Sequence, residues 1–530
     1  MGARDYGAAL EALSSLITKR SRGDGTNRGD SFDLMPRYLQ VAGLDEPLSK
    51  LSIIHVAGTK GKGSTCTFSE SILGECGYKT GLFTSPHLID VRERFKVNRA
   101  NVSEHVFLKH FWWCWDQFKM NVGIDMPMPT YFRFLTLLAF KIFIEEKVDV
   151  AILEVGLGGR FDATNVVRTP TVCGITSLGY DHMEILGYTL PEIAGEKAGI
   201  FKQGIPAFTV AQQKEAMDVL QKKASELDIR LQVVSPLTEQ LLNGSQLSME
   251  GEHQLSNGAL AVALCHCWAH RRNEKKHLAM FDDAMSKGYL PEPYIKGLIS
   301  AQLLGRAQQI QDQAVKGLSF FLDGAHSPES MEVCGRWFCV AVHKANCTSE
   351  RELHATDMSN EQLDAHAANK GGSSIFKIHK TDGTSKRVLL FNCMPQRDPT
   401  VLLPRLINTC DNHGFPFHHA MFVPGLSSYT QVTVDLPSAT KDGSSENEDL
   451  SWENSIQKVY DSLPQSQSGA EKQNKTSELF GGVRSCVVPS LPAALDLLRQ
   501  YCHDHSSHKL QVLVTGSLHL VGDVLRMLKK

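Results

Sequence analysis

One octapeptide constrains this chain more than any other feature. Gly58-Thr59-Lys60-Gly61-Lys62-Gly63-Ser64-Thr65 stands between the apolar run Leu51–Ala57 and the helix-like spacing of Ser64–Cys76. A glycine loop joining a buried strand to a helix lets backbone N–H groups converge on an anion at the positive end of the helix dipole, and a lysine adds a point charge. The common phosphate-loop pattern asks for Gly at the position of Val56 and a hydroxyl directly after the lysine, where this chain has Gly63. The match is therefore partial, and a cation that such a hydroxyl would hold needs another ligand.

The run, turn and helix pattern repeats. Thr80–Thr84, Val148–Val155 and Thr171–Thr176 read as further buried strands, with Tyr131–Glu146 as a helix between them. Leu318–Leu322, Val388–Asn392, Ala420–Val423 and Gln511–Thr515 form a second series whose last helix is Leu491–Tyr501. Such alternation predicts an α/β fold with mainly parallel sheets. It divides into an N-terminal P-loop-type ATPase domain over residues 1–300 and a C-terminal Rossmann-like domain over 301–530, the boundary lying near Leu298–Gly305. Residues 343–386 and 437–482 are polar and poor in aromatics, and read as surface insertions in the second domain.

Ligands of open α/β sheets bind at the carboxyl ends of the strands, and those ends carry chemistry here. The second strand runs into Thr84-Ser85-Pro86-His87, the third ends in Glu154 before a glycine run, and the fourth leads to Asp181-His182. Ser85, Glu154 and His182 could converge on one cation; singly they read as a helix cap, a surface charge and a loop histidine. Lys197, between glycines in Gly195-Glu196-Lys197-Ala198-Gly199, reads either as an exposed helical lysine or as a cation near a reaction centre. Arg92, Arg94 and Lys96 alternate and would share one face of a strand, as a rail for anionic tails or as a solvated edge. Phe111-Trp112-Trp113-Cys114-Trp115 fits core or interdomain packing better than a stacking platform.

Composition excludes other classes. Lys plus Arg number 55 against 58 Asp plus Glu, a net of −3, so no basic excess exists to hold nucleic acid. The densest apolar stretches, Phe132–Ile144 and Ala259–Trp268, are too short and interrupted to span a bilayer. The 13 cysteines are odd in number and lack any C-x-x-C pair, as expected of buried thiols in a reducing compartment; Cys265-His266-Cys267 reads as core packing. The first twenty residues have no apolar signal core, and Tyr6 stands where a myristoylation signal wants a hydroxyl. A cytoplasmic protein is the expectation, with room for a longer form that carries an organellar presequence for mitochondrion or plastid.

The segments HVAGTKGKGST, TSPHL, LEVGLGGRFDATN, LGYDHMEILG, GEKAGIFK, LLGRAQ, LDGAHSPES and VLVTGSLHLVG follow one another from about residue 50 to the carboxyl terminus. Together they resemble the folylpolyglutamate synthase family of the Mur ligase superfamily, and FTSPHLIDVRERF with GEKAGIFK is similar to its eukaryotic branch, plants included. The resemblance implies an ATP-dependent ligase that phosphorylates the γ-carboxylate of a tetrahydrofolate polyglutamate, the amine of L-glutamate then displacing phosphate. It implies that Thr59, Lys60, Gly61, Lys62, Gly63 and Ser64 wrap the ATP phosphates. Ser85, Glu154 and His182 would hold magnesium, and Lys197, as a carbamate, a second magnesium. Arg306 and Asp323 would contact the nucleotide, with the adenine near His253–Asn257 and Asn257 among its ligands. Arg94, His326 and Ser517 would hold the incoming glutamate, with Lys62, Lys197 and His326 as the catalytic set. A monovalent cation such as K+ is a further cofactor the family allows, and a monomer is the expected state. Closure of the two domains would shield the acyl phosphate from water. The competing readings are a dihydrofolate synthase, alone or bifunctional, a non-catalytic nucleotide-binding homologue, and a peptidoglycan ligase on the same fold.

Overall fold

Two sheets organise the chain, and the strand that feeds the glycine loop lies deep within the first. A computed structural model describes residues 4–17, 34–123, 125–357, 385–426, 449–464 and 479–529. These fall into two compact units that divide between Leu304 and Gly305.

The sheet of the first unit comprises β1 (Ile53–Ala57), β2 (Thr80–Phe83), β3 (Phe95–Val97), β4 (Ala100–Asn101), β5 (Val150–Glu154), β6 (Val172–Ile175), β7 (Ala207–Val210) and β8 (Leu231–Val234), in the order β4-β3-β2-β5-β1-β6-β7-β8. Its pairings are parallel except at β3, which runs antiparallel to β2 and β4. β1 lies between β5 and β6 and every residue of it is buried, which is why it reads as a continuous apolar run rather than an alternating one. Successive residues still face opposite sides. Ile53, Ala151 and Leu153 join a core with the helices Glu104–Met120 and Tyr131–Glu145. Ile54, Val56, Val150 and Ile152 join another with the helices Lys62–Glu75, His253–Arg271 and Glu292–Ser300.

The sheet of the second unit comprises β9 (Gln308–Gln311), β10 (Leu318–Leu322), β11 (Ser385–Phe391), β12 (His419–Phe422), β13 (Ser485–Val487) and β14 (Lys509–Thr515), in the order β13-β12-β11-β14-β10-β9. Only β9 among these is antiparallel to its neighbour. The α/β class with two mainly parallel sheets is thus as the sequence predicts. Among the described residues no helix is long and apolar enough to cross a membrane.

Three local readings change. Val91–Arg94 is a 3-10 turn rather than part of a strand, because Asp90 accepts from Arg92 N and the Glu93 carboxylate reaches back to Asp90 N. Arg92, Arg94 and Lys96 therefore share no strand face: Arg92 pairs with Asp90 at 2.7 Å, Arg94 is buried, and only Lys96 lies in β3. The polar stretch 437–482 contains the helix Ser451–Ser462, whose Ile456 and Tyr460 belong to the core of the second unit. In the stretch 343–386, residues 343–357 continue the helix Pro328–Asp357, and 358–384 lie outside the described residues. The aromatic run on Glu104–Met120 is packing: Phe111 and Cys114 are buried and Trp112, Trp113 and Trp115 lie against the same core. Cys265 is buried and His266 stacks on Phe281 at 4.1 Å, so that trio also serves the core.

The helix after the glycine loop carries a buried acid. Glu70 is 2% exposed and accepts from Arg99 N at 3.1 Å. Burial raises its pKa to about 7, against the opposing pull of Lys96 and Arg99. The folded chain keeps this proton up to about 7 while the unfolded chain releases it near 4.5, so stability falls as pH rises through that window. Glu70→Gln, neutral and still an acceptor, should stabilise the fold at pH 8 by up to about 3 kcal/mol and change little at pH 4. Unfolding midpoints at the two pH values test this; an equal gap at both would assign the effect to packing.

Candidate active site

The glycine loop leaves β1 at Gly58 and enters the helix Lys62–Glu75 through Gly61, which caps it in the left-handed region at φ 89°. A side chain at Gly61 would meet Asn257 Oδ1 at 2.2 Å, so bare backbone is required where the loop passes the helix His253–Arg271. Asn257 Nδ2 in turn donates to Gln254 Oε1 at 2.9 Å, and Gln254 Nε2 reaches Ser64 Oγ at 3.4 Å. On its other side the loop is tied to the end of β6: Thr59 and Lys60 N–H both donate to Ser177 O, at 3.0 and 3.1 Å. Lys60 pairs with Asp181 at 3.1 Å and Lys62 Nζ donates to Thr59 O at 3.3 Å. Two lysines thus stand on the loop that opens this helix, whose first N–H groups have no partner within the helix, an arrangement that favours phosphate.

Glu154 reaches the same place from the neighbouring strand. Val56 pairs with Glu154 across β1 and β5, which sets this carboxylate beside the loop that begins two residues after Val56. Glu154 is 5% exposed, and its Oε2 accepts from Ser85 N at 2.9 Å. A Cβ on Gly63 would stand 3.6 Å from that oxygen. The position that carries a hydroxyl in the common phosphate loop is therefore faced by the Glu154 carboxylate, with Ser85 at its side.

Lys197 approaches from the helix Leu190–Ala198, which starts at a Thr189 cap with Glu192 returning to Thr189 N. It is 4% exposed and its Nζ donates to Gly58 O at 2.8 Å. Burial first and the Lys62 charge second bring its pKa down to about 7, against the pull of Asp181. The exposed-lysine reading therefore fails. His182 is more open: it lies at φ 51°, with its ring 3.9 Å from Asp181 Oδ1 and 4.0 Å from Glu184 Oε1.

The structure thus brings together Ser85 with Glu154, Lys197 with the glycine loop, and Asn257 with Gly61. No three His, Cys, Asp or Glu groups among the described residues form a set that could hold a metal. The Glu154 carboxylate and the hydroxyl of the adjacent Ser85 are oxygen donors of the kind that magnesium prefers, with water completing its shell; the Lys197 amine is not such a donor.

Sequence reasoning passed over two acids. Asp181, next to the chosen His182, is the residue that pairs with Lys60. Asp162 is buried and accepts from Gly156 N and Leu157 N, both at 3.1 Å, and from Thr164 N at 3.0 Å and Thr164 Oγ1 at 2.6 Å, holding the turn that follows Glu154. The one available signal was its place three residues past a glycine run, where Asp commonly bonds backbone amides.

In the second unit, Asp323 follows β10 and its Oδ2 accepts from Ala307 N at 2.9 Å, which sets Arg306 beside it in the chain. His326 Nδ1 lies 2.9 Å from Gly324 O. Ser517 follows β14 and caps the helix Leu518–Leu528 through His519 N at 3.1 Å. Gly516 N donates to Ala325 O at 3.1 Å, so the turns that carry His326 and Ser517 are joined.

No protein-family model matches the chain. Folylpolyglutamate synthase of Arabidopsis thaliana is 52% identical over 540 residues, covering 100% of this chain and 89% of the relative. The mitochondrial folylpolyglutamate synthase of Homo sapiens is 35% identical over 595 residues, covering 99% and 92%. Among solved structures, Mycobacterium tuberculosis folylpolyglutamate synthase complexed with ADP and AMPPCP aligns at a TM-score of 0.67 with 20% identity, covering 99% of both chains. The Thermotoga maritima folylpolyglutamate synthase aligns at 0.64 with 23% identity, covering 99% and 97%.

Proposed function

The chain belongs to the folylpolyglutamate synthase family, and on that premise we propose how its residues add L-glutamate, at the cost of ATP, to the γ-carboxylate of tetrahydrofolate polyglutamates. The observation that supports this reading best is the meeting of the glycine loop, Glu154 and Lys197 at the carboxyl ends of β1 and β5. The reaction must gather ATP, a folate carboxylate and a second amino acid, all anionic, and mutual repulsion is the first barrier. Lys60, Lys62 and the amide groups at the start of Lys62–Glu75 offset the phosphate charge. Thr59, Gly61, Gly63 and Ser64 complete that cradle, and Asn257, which holds its far wall, is assigned to the adenine with the His253–Asn257 segment. Arg306 and Asp323 are assigned to the nucleotide.

Magnesium, when bound, shields the phosphates and polarises the terminal one toward the attacking carboxylate. Ser85, Glu154 and His182 are the residues assigned to hold it. Lys197 is assigned to a second ion as a carbamate: the neutral amine takes up CO2, forming an N–C bond and releasing one proton. A pKa of about 7 makes that amine available near neutrality. A K+ ion is a further cofactor of the same reading. Arg94 and Ser517 are assigned to substrate carboxylates. A backbone carbonyl only accepts, so His326 Nδ1 donates to Gly324 O and the neutral ring keeps its lone pair on Nε2. That nitrogen is suited to take the proton which the glutamate amine must lose as it displaces phosphate. We place the reaction in the cytoplasm, with an organellar form on a longer chain; the free thiols of the described cysteines suit a reducing compartment.

The test is incubation of the protein with Mg-ATP, tetrahydrofolate monoglutamate and labelled L-glutamate. A ladder of products rising by glutamate units, with ADP formed only when both acceptor and glutamate are present, is the expected result. A single addition confined to dihydropteroate would move the assignment to the synthase. ATP binding without turnover on either acceptor would leave a non-catalytic homologue.

A further inference from the structure

Arg94 is 7% exposed, and no carboxylate stands against it among the described residues. A buried guanidinium without an anion is costly, so its surroundings bear on what it is for. Its backbone is fixed to the end of β2, Arg94 O accepting from Thr84 N at 3.2 Å. Its guanidinium carbon lies 5.7 Å from the centre of the Tyr131 ring, which covers one face. Its Nε donates to His87 Nδ1 at 2.9 Å. Arginine can only donate, so Nδ1 of His87 is the unprotonated nitrogen and the neutral imidazole carries its hydrogen on Nε2. One of the five guanidinium N–H groups is thereby spent, the rotation of the fork is set, and the two terminal nitrogens are left as a parallel pair. That pair matches the two oxygens of a carboxylate. His87 is two residues from Ser85, whose N–H is held by Glu154, so one short segment touches both groups.

We propose that His87 is a positioning residue, whose Nδ1 orients Arg94 as a two-pronged receptor for a substrate carboxylate. The proposal deepens, and rests on, the assignment of Arg94 to substrate. Carboxylates come from two sources, free L-glutamate and the folate tail, and the Michaelis constants separate them.

The experiment is steady-state kinetics on the full chain with His87→Ala, His87→Asn and His87→Gln, alone and combined with Arg94→Gln. Asn places an oxygen acceptor near the position of Nδ1, whereas Gln reaches toward that of Nε2. Loss of a charge-assisted hydrogen bond should raise the KM of His87→Ala for L-glutamate by about tenfold or more, with kcat and the KM for ATP changed by less than about threefold. His87→Asn should recover most of that loss and His87→Gln little. In the Arg94→Gln background His87→Ala should add nothing further, since one role is removed twice. A rise in the KM for tetrahydrofolate instead would support the same role and assign the carboxylate to the folate tail. An unchanged KM for both substrates in His87→Ala, or equal rescue by Asn and Gln, overturns the proposal while Arg94→Gln stays impaired. An unimpaired Arg94→Gln would remove the underlying assignment itself. If His87→Ala does not fold, the contrast between the Asn and Gln variants decides alone.

Discussion

Lys197→Ala is expected to lower turnover by about 10³-fold, since it removes the carbamate proposed to bind metal at a phosphoryl-transfer site and with it several kcal/mol of charge stabilisation. The fold should survive. Among the described residues the Lys197 side chain makes one hydrogen bond, to Gly58 O, and its buried ammonium is no asset to stability. Lys197→Met, closer in volume, should be equally inactive with a smaller change in unfolding midpoint. The proposed carbamate adds a second signature. Protein stripped of CO2 should lose activity and regain it with bicarbonate, and the rate of recovery should climb with pH through about 7, because only the neutral amine reacts. Normal turnover in Lys197→Ala, or indifference to bicarbonate, would remove this role.

Glu154→Gln should raise the magnesium concentration needed for half-maximal rate by about 100-fold, with partial recovery at high magnesium. The amide keeps an oxygen for Ser85 N and nearly the same volume, so packing and the segment after β2 should hold. What is lost is the negative charge beside Gly63 and the first turn of Lys62–Glu75. A magnesium titration of the ligation rate measures it directly. An unchanged magnesium requirement would take Glu154 out of any metal site.

Much of this was legible in the amino-acid order, for identifiable reasons. The central strands β1, β2, β5 and β6 are buried on both faces, and continuous β-branched runs have few other uses. Edge strands such as β4, two exposed residues, and β9, Gln308-Gln309-Ile310-Gln311, carry too little pattern to be found. At Val91–Arg94 a capping interaction through Asp90 and Glu93 won over an alternating charge pattern, because two local hydrogen bonds act before any sheet partner is available. The helix Ser451–Ser462 was hidden by its polar neighbours, although Ile456 and Tyr460 stand at helical spacing. Residue identity at the strand ends was enough to nominate Ser85, Glu154 and His182, and left two readings open for Lys197 on its helix. It was not enough for the protonation of Lys197, set first by burial and then by Lys62 and Lys60 of the glycine loop and Asp181 of the segment after β6, nor for the choice of Asp181 as the partner of Lys60.

The register of β1 against β5 also has a meaning in time. Val56 and Glu154 are neighbours in the sheet but 98 residues apart in the chain (154 − 56). A ribosome adding 5–20 residues per second needs roughly 5 to 20 s to cover that interval. Throughout it the nascent glycine loop exists without the carboxylate beside it, and Lys197 follows later still. The half-made polypeptide therefore lacks the carboxylate proposed here to hold the magnesium of Mg-ATP. On that proposal, nucleotide should stabilise a chain whose first unit is already synthesised more than a truncated one.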